Sequence, residues 1–496
     1  MNGTIQTTKE NLKIQPTQIL DSTDQALAIG DLHGNAMKGI YFLIRYGVMK
    51  LENPQDYDSL WSIYNTKTDA LTSEQLTQFQ TILTNASVTS PKLITFIGDE
   101  LSDRGNNDWF TLLLMKTLHE KNVPYQIQLS NHSSVALQSF STNSPLPGMI
   151  GSAQNNQQRS LDNMWALVKK GLITKEEVGS LANEFYKPHL RMIGYTKTKN
   201  DHITLYTHAP VGLETVRDLS GKFEIKYDDS TIESLIFCIN EINKKASESM
   251  IKNDFKQYHD VTNRDNTNDP LDRLFWSREL QHNFTLTPTN HSFKVECVHG
   301  HIGPGKILNA GLRNTDSHWG MLPGDDVGDC TIFCETAGHE FSCSFDENEN
   351  IVKRLIAASE KYLDHLDHLD GIEQNDLATK KIDIITKGLD ALKTTGSSAH
   401  EKLIGFNSII LKNQDNILCL GTRRDNAAET FFKAITVAIV SIASFGFLAN
   451  DVYQRFFGEK STEGKKFISD ITKYKQALTS MKDENRPGSE HSHSTK

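Results

Sequence analysis

Four short polar motifs, each placed directly after an apolar run, constrain this chain more than any other feature. Gly30-Asp-Leu-His-Gly34 follows Ala26–Ile29, and Gly98-Asp-Glu-Leu-Ser-Asp-Arg-Gly105 follows Lys92–Ile97. Ser130-Asn-His-Ser133 follows Tyr125–Leu129, and Val298-His-Gly-His-Ile302 closes the run that starts at Phe293. A further run, Ile203–Tyr206, precedes a lone His208. Runs this short, stopping at glycine or polar residues, read as buried strands. Helical spacing follows the first two, through Met37, Ile40, Tyr41, Ile44 and Val48, then Trp109, Leu112, Leu113 and Met115. Strands alternating with helices predict an α/β layered core, and loops at strand ends are where such cores build sites.

The rest of the sequence bounds the classes open to this core. At 496 residues, the usual domain size of roughly 150 residues suggests more than one domain. A chain with 37% hydrophobic and 23% charged residues is neither wholly disordered nor collagen-like. Acids outnumber bases 62 to 52, a formal charge of −10; the chain lacks the basic footprint of a nucleic-acid binder, and no such partner is expected. Six cysteines are too few for a disulfide scaffold. Met1–Leu20 has no continuous apolar segment, so no Sec-type signal peptide is expected.

Along the chain, residues 1–24 read as an N-terminal extension and 25–350 as the domain that holds the motifs. Helical insertions are expected at about 51–91 and about 150–190. From 351 to 482 the pattern is helical only, and the polar stretch 483–496 reads as disordered. Within the helical region, Ala434–Asn450 runs seventeen residues without a charge, at the short end of the roughly 17–25 residues needed to span a bilayer. It reads either as a membrane or partner-protein contact, with flanks reaching over 431–457, or as a helix buried in protein.

The motif residues match a two-metal centre. Asp31 and His33, two apart on a sharp loop, can aim at one ion, and Asp99 can bridge two ions through its two carboxylate oxygens. Asn131, His208 and His301 complete the second ion with one oxygen and two nitrogens, a set suited to manganese, iron or zinc. Two such cations can hold a phosphoryl oxygen and acidify a water. Arg104 can fork onto phosphate oxygens, and Asp103 can orient His132. A single Asp-x-His or lone histidine carries little weight, and the ordered set carries the reading.

This set resembles the phosphoprotein phosphatase branch of the metallophosphoesterases, whose signatures run Gly-Asp-x-His-Gly, Gly-Asp-x-x-Asp-Arg-Gly, Gly-Asn-His-Glu, then a His and a Gly-His. More narrowly, Gly98–Asp108 and Ser130-Asn-His are similar to the Wip-type effector phosphatases of intracellular bacterial pathogens. The resemblance covers about 25–345. It implies a metallophosphoesterase-like layered β-sandwich flanked by helices, with an all-α C-terminal region. It further implies Asp31, His33 and Asp99 on one metal, and Asp99, Asn131, His208 and His301 on the other. His132 would be the general acid, Asp103 its partner and Arg104 a phosphate clamp, with Arg278 in Phe275-Trp-Ser-Arg278 as a second clamp and Arg273 behind it. The sequence departs from the pattern by one extra residue between Asp99 and Asp103, by Ser130 for glycine and by Ser133 for glutamate.

The expected function is hydrolysis of phosphoserine or phosphothreonine, with phosphotyrosine open, by a manganese-loaded dinuclear centre in a secreted effector acting in the host cytoplasm or at a host membrane. A nucleotide or dinucleoside-polyphosphate hydrolase is the rival enzyme, and a scaffold with a vestigial metal site the rival of another class. Other signals are weaker. Cys330, Cys334, His339 and Cys343 lack paired Cys-x-x-Cys spacing and read as strand residues before a zinc site. Gly300–Gly305 has no following Gly-Lys-Ser/Thr, which excludes a P-loop. His299 reads as a strand-end histidine.

Overall fold

The computed structural model describes residues 3–146, 157–198, 201–255, 269–278, 284–291, 293–304, 311–322, 324–337, 342–344 and 376–393, with a few single positions between 355 and 409. The chain divides into two compact units, Met1–Phe345 and Asp346–Lys496. In the second unit the helix Asp376–Lys393 is described. The 434–450 stretch, its flanks over 431–457 and the tail 483–496 lie outside the described residues. Among the described residues, no helix is long and apolar enough to cross a membrane.

The first unit is mixed α/β. Its strands are β1 (Gly3–Asn11), β2 (Gln25–Ile29), β3 (Met49–Lys50), β4 (Ser87–Val88), β5 (Leu93–Phe96), β6 (Tyr125–Gln128), β7 (Leu190–Arg191), β8 (Gly194–Thr198), β9 (His202–Tyr206), β10 (Lys294–His299), β11 (Leu312–Asn314), β12 (Val327–Thr336) and β13 (Ser342–Cys343). One sheet runs β1-β12-β2-β5-β6-β7 and a second β11-β10-β9-β8-β13, with β3 and β4 forming a separate pair. In the first, β2, β5, β6 and β7 are parallel, as helical crossovers require. In the second, β9, β10 and β11 are parallel. The central strands β2, β5 and β6 are buried almost throughout; β2 and β5 accordingly read as near-continuous apolar runs, whereas β6 alternates Tyr125 and Ile127 with buried Gln126 and Gln128.

The expected helices form close to where periodicity places them, as α1 (Ala36–Arg45) after β2 and, after the α2 (Asp56–Tyr64) and α3 (Ser73–Asn85) insertion, α4 (Asp108–Glu120) after β5. Asn35 caps α1 by accepting from the Met37 and Lys38 amides. The sheets meet through a small core in which Ala28 and Phe333 of one face Tyr206 and Val298 of the other; the Tyr206 and Phe333 rings contact edge to face at 6.2 Å.

The reading of residues 1–24 as an extension is corrected. Gly3–Asn11 pairs antiparallel with β12 over nine registers, from Gly3 with Glu335 to Asn11 with Val327. It is the edge strand of the first sheet. Its side chains are mostly exposed and polar, so it carries no apolar alternation, as a soluble edge strand should not.

Glu335 of β12 is fully buried between the sheets, where Thr196 of β8 donates to its Oε2 at 2.7 Å and Oε1 finds no partner. Burial pushes its carboxyl up to about 7. The folded state therefore holds a proton that the unfolded chain releases near pH 4.5, and stability falls as pH rises through the interval between the two values. Glu335→Gln should remove that loss: urea midpoints of wild type and variant should diverge between about pH 4.5 and about 7, the variant gaining, and stay parallel above it.

Candidate functional site

The ends of five parallel strands deliver the motif side chains to one place. Asp31 and His33 follow β2, Asp99–Arg104 follow β5, Asn131 and His132 follow β6, His208 follows β9 and His301 follows β10. After β6 the chain turns directly into α5 (Asn131–Thr142), capped by Ser130, whose hydroxyl accepts from the Ser133 amide. Asn131 and His132 thus stand on the first turn of a helix, where position is fixed by the cap. Three of the ligand-type residues, His33, Asp99 and His301, have φ of 57°, 52° and 69°, a left-handed conformation that non-glycine residues adopt at a cost of order 1–3 kcal/mol. The backbone packs tightly here: a Cβ at Gly300 would stand 1.9 Å from Asp31 Oδ1, so only glycine lets the His301 loop close on the first motif.

Three overlapping groups of donors result among the described residues. In the first, Asp31, His33 and Asp316 each present a ligand atom within 4.8 Å of the others; in the second, Asp31, Asp99 and His208 do so, and in the third, His33, Asp99 and Asp103. Around His208, Nε2 lies 2.7 Å from Asn131 Oδ1, 3.1 Å from His301 Nδ1 and 3.5 Å from Asp99 Oδ1. The His208 Nδ1 donates to the Ile97 carbonyl at 3.0 Å, which leaves its Nε2 lone pair for a ligand bond. Burial holds His208 below the usual imidazole range, and burial with the charges of His208 and Arg278 holds His301 well below it. Neutral imidazoles are what a cation requires.

The carboxylates point the same way. Burial, then the Asp316 and Asp99 charges, push Asp31 well above the usual range. Asp99 Oδ1 is buried with no hydrogen-bond partner, an orphan acceptor that a divalent cation would satisfy. The donor set present, carboxylate, amide oxygen and imidazole, fits such a cation.

His132 differs from expectation in its partner. Its Nδ1 donates to the Ser102 carbonyl at 2.5 Å, while Asp103 Oδ1 stands 3.7 Å from Nε2, beyond hydrogen-bond length. Asp103 instead gives Oδ1 to Arg104 at 2.8 Å and Oδ2 to His33 Nδ1 at 3.1 Å. Burial works against its charge, but His132, His33 and Arg104 outweigh this and hold its carboxyl below the ordinary range. Burial likewise opposes charge on His33, yet Asp103 and Asp316 raise it to about 10, so His33 is a cation without an ion and would give up a proton on ligating one. The extra residue of the second motif is absorbed by a left-handed turn at Ser102, φ 59°, whose amide donates to buried Asp108 at 2.9 Å.

Arg278 is exposed, just after α10 (Pro270–Trp276), and close enough for its charge to act on His301; the Trp276 ring meets the His301 ring at 5.8 Å. Arg273 points elsewhere, into an ion pair with Asp218 at 2.5 Å. His299 is buried with Nδ1 3.0 Å from the Gly300 carbonyl. Cys330 and Cys334 lie along β12 and Cys343 on β13; they join no metal-type cluster among the described residues, and His339 lies outside them. A cleft of about 480 Å³ beside the second motif, lined by Tyr64, Asn106, Arg159 and Lys170, contains none of the ligand-type residues.

Three buried residues escape a reading of the sequence. Lys38 donates Nζ to the Asp31 carbonyl at 2.5 Å, Asp316 joins the first donor group, and Glu100 accepts from Ser133 Oγ at 3.0 Å and from the Tyr186 hydroxyl. Asp316 follows β11, so the strand-end rule applies to it, but a strand of three residues gives no periodic signal.

Residues 93–320 match the family model described as WipA-like, phosphatase domain. The match begins at β5 and so leaves out the Asp31–His33 motif. Among solved structures, the phosphatase domain of the Legionella effector WipB is similar at 25% identity and a TM-score of 0.50, over 57% of this chain and 100% of that one. No curated protein matches.

Glu100→Ala should test the local brace. It leaves the buried Ser133 and Tyr186 hydroxyls without their acceptor, at about 1–3 kcal/mol each. A urea midpoint clearly below wild type is expected; an unchanged midpoint would show that both hydroxyls find other partners.

Proposed function

We infer, from the premise that residues 93–320 form a Wip-type phosphatase domain, that this protein is a metal-dependent phosphoprotein phosphatase with a dinuclear centre. The observation that carries the reading is the convergence of Asp31, Asp99 and His208 on one point, with Asn131 and His301 against the same imidazole. Asp31, His33 and Asp99 would hold one ion and Asp99, Asn131, His208 and His301 the other, in a metallophosphoesterase-type layered core of the phosphoprotein phosphatase branch. The ions, manganese ahead of iron or zinc, supply Lewis acidity that acidifies water and draws charge from the phosphoryl oxygens.

The chain's own groups do the rest. Arg104, partly buried and anchored on Asp103, presents its guanidinium to a phosphate, and Arg278, whose charge reaches His301, serves as a second clamp. His132, fixed by the Ser102 carbonyl, delivers a proton to the leaving serine or threonine oxygen. Asp103 holds Arg104 and His33 in place and faces His132 from a distance. No cysteine in the chain begins a Cys-x5-Arg loop, so a thiol-phosphate intermediate is not part of this reading. An effector role in a host cell is proposed by likeness to the WipB domain, whose source protein is an effector. Residues 351–496 are proposed to serve location or partner choice, through 431–457 against a membrane or protein.

Two measurements test this. Phosphate release from p-nitrophenyl phosphate should be stimulated by manganese and abolished by chelator. Asp99→Asn should lose metal and activity together, whereas His132→Ala should keep its metal and lose roughly two to four decades of turnover. Loss of metal from His132→Ala would refute its role, and faster turnover of diadenosine tetraphosphate than of phosphopeptides would move the substrate class to nucleotides. A fragment ending near Val352 should retain most activity on p-nitrophenyl phosphate; an inactive fragment would make the helical region part of the catalytic core.

A further inference from the structure

Asp316 stands where the motif residues leave the first donor group incomplete. It is 5% exposed, on the loop after β11, and its carboxylate is anchored through one oxygen only. Gly303 N–H donates to Oδ2 at 2.7 Å, while Oδ1 is buried without a hydrogen-bond partner, 3.5 Å from His33 Nε2. The backbone fixes the loop from two sides. Thr315 donates from both N and Oγ1 to the His299 carbonyl, at 2.8 and 2.9 Å, and a Cβ at Gly30 would stand 2.0 Å from the Thr315 carbonyl oxygen. The loop is therefore seated directly on the residue before Asp31.

His33 is oriented to match. Its Nδ1 is held by Asp103, and its Nε2 stands 3.1 Å from the Ser317 carbonyl and 3.5 Å from Asp316 Oδ1, so an ion would take the Nε2 side and displace the contact with Ser317. A carboxylate that only oriented this imidazole would sit on the nitrogen away from the ion, and Asp103 already fills that place. Asp31, His33 and Asp316 offer ligand atoms within 4.8 Å of one another. A buried carboxylate oxygen at 3.5 Å from a ring nitrogen makes a poor hydrogen bond, yet two ligands of one cation at about 2.1 Å each naturally stand that far apart or slightly less.

We propose that Asp316 is a fourth protein ligand of the first ion, beside Asp31, His33 and Asp99. The inference rests on the dinuclear reading above and adds to it a difference between the two ions. The first is held by three carboxylates and one imidazole, the second by one carboxylate, one amide oxygen and two imidazoles. Oxygen-rich sets favour manganese over softer ions, so the first site is the tighter manganese site and fills first.

The test compares full-length wild type, Asp316→Asn and Asp316→Ser, stripped with chelator and titrated with manganese, by calorimetry and by electron paramagnetic resonance. Wild type should take up two ions and show an exchange-coupled signal at saturation. Asp316→Asn should keep its fold by circular dichroism, bind one of its two ions at least tenfold more weakly than wild type binds its tighter one, and keep the six-line signal of isolated manganese at the two equivalents where wild type is already exchange-coupled. Asp316→Ser decides by the same readout should the amide not fold. Two ions bound with wild-type affinity and coupling in a folded variant would overturn the ligand role while leaving the dinuclear reading intact. Wild type that binds no manganese would overturn both.

Discussion

Asp31, Asp99, Asp103 and Asp316 are packed into one pocket that excludes nearly all water, and this crowding of like charge is the constraint that the rest of the site answers. Unit charges about 4 Å apart repel by about 4 kcal/mol even at the moderate effective dielectric of a protein edge. The chain supplies three cations. Lys38 sits beneath Asp31, Arg104 lies on Asp103, and His33 lies between Asp103 and Asp316. They suffice for Asp103 and Asp316, whose carboxyls are held below the ordinary range. They do not suffice for Asp31, which is driven the other way by burial and by its neighbours Asp316 and Asp99. The imbalance is localised at the oxygens that converge on His33 and His208. A divalent cation there would turn the repulsion into coordination, so a pocket that is unfavourable as protein alone becomes favourable as a metal centre.

Holding such a pocket together requires a frame that does not relax. Parallel pairing fixes β2, β5 and β6 in one sheet and β9, β10 and β11 in the other, so each loop starts from a strand end that cannot slide without turning its side chains over. Behind the loops, Ala28, Ile97, Tyr206, Val298 and Phe333 form a core shared by both sheets. The left-handed conformations of His33, Asp99 and His301 are tolerated because these anchors over-determine them. The cost of strain and crowding is carried by a large apolar core that takes no part in the chemistry.

What could be read from the sequence, and what could not, divides by the range of the interactions involved. Asp31 with His33 and Asp99 with Asp103 are legible because residue type, spacing and the preceding strand lie within a dozen residues. The helices α1 and α4 are legible because 3.6-residue periodicity is local too. β1 is not, because its partner β12 lies more than three hundred residues away and its exposed edge needs no apolar alternation. Asp316 is hidden for a similar reason. It reaches the site only because β11 pairs with β10 and the glycine at 30 admits its loop, neither of which the neighbouring residues announce. Ser102 as the partner of His132 depends on a backbone carbonyl, which has no sequence signature at all.

Glu100 shows how two departures from the motif pattern can be one change. The second motif is longer by a residue than the pattern it resembles, and the third has Ser133 where that pattern has glutamate. In the fold the two loops are adjacent: Asp99 N–H donates to Ser130 Oγ at 3.1 Å, and the Ser133 hydroxyl donates to Glu100 Oε1. A carboxylate is thus brought against position 133 from the neighbouring loop instead of from the helix that carries His132. The serine is short enough to admit it, and Tyr186 closes the group from the other side. Burial raises the Glu100 carboxyl to about 7, so the brace can accept from both hydroxyls as a carboxylate or keep a proton without adding charge to the already crowded pocket. Removing the extra residue alone would withdraw the carboxylate from Ser133, and restoring glutamate at 133 alone would place two carboxylates in one apolar space. The two departures thus meet in one contact, Ser133 on Glu100, beside the ligands Asp99 and Asn131 and the ring of His132.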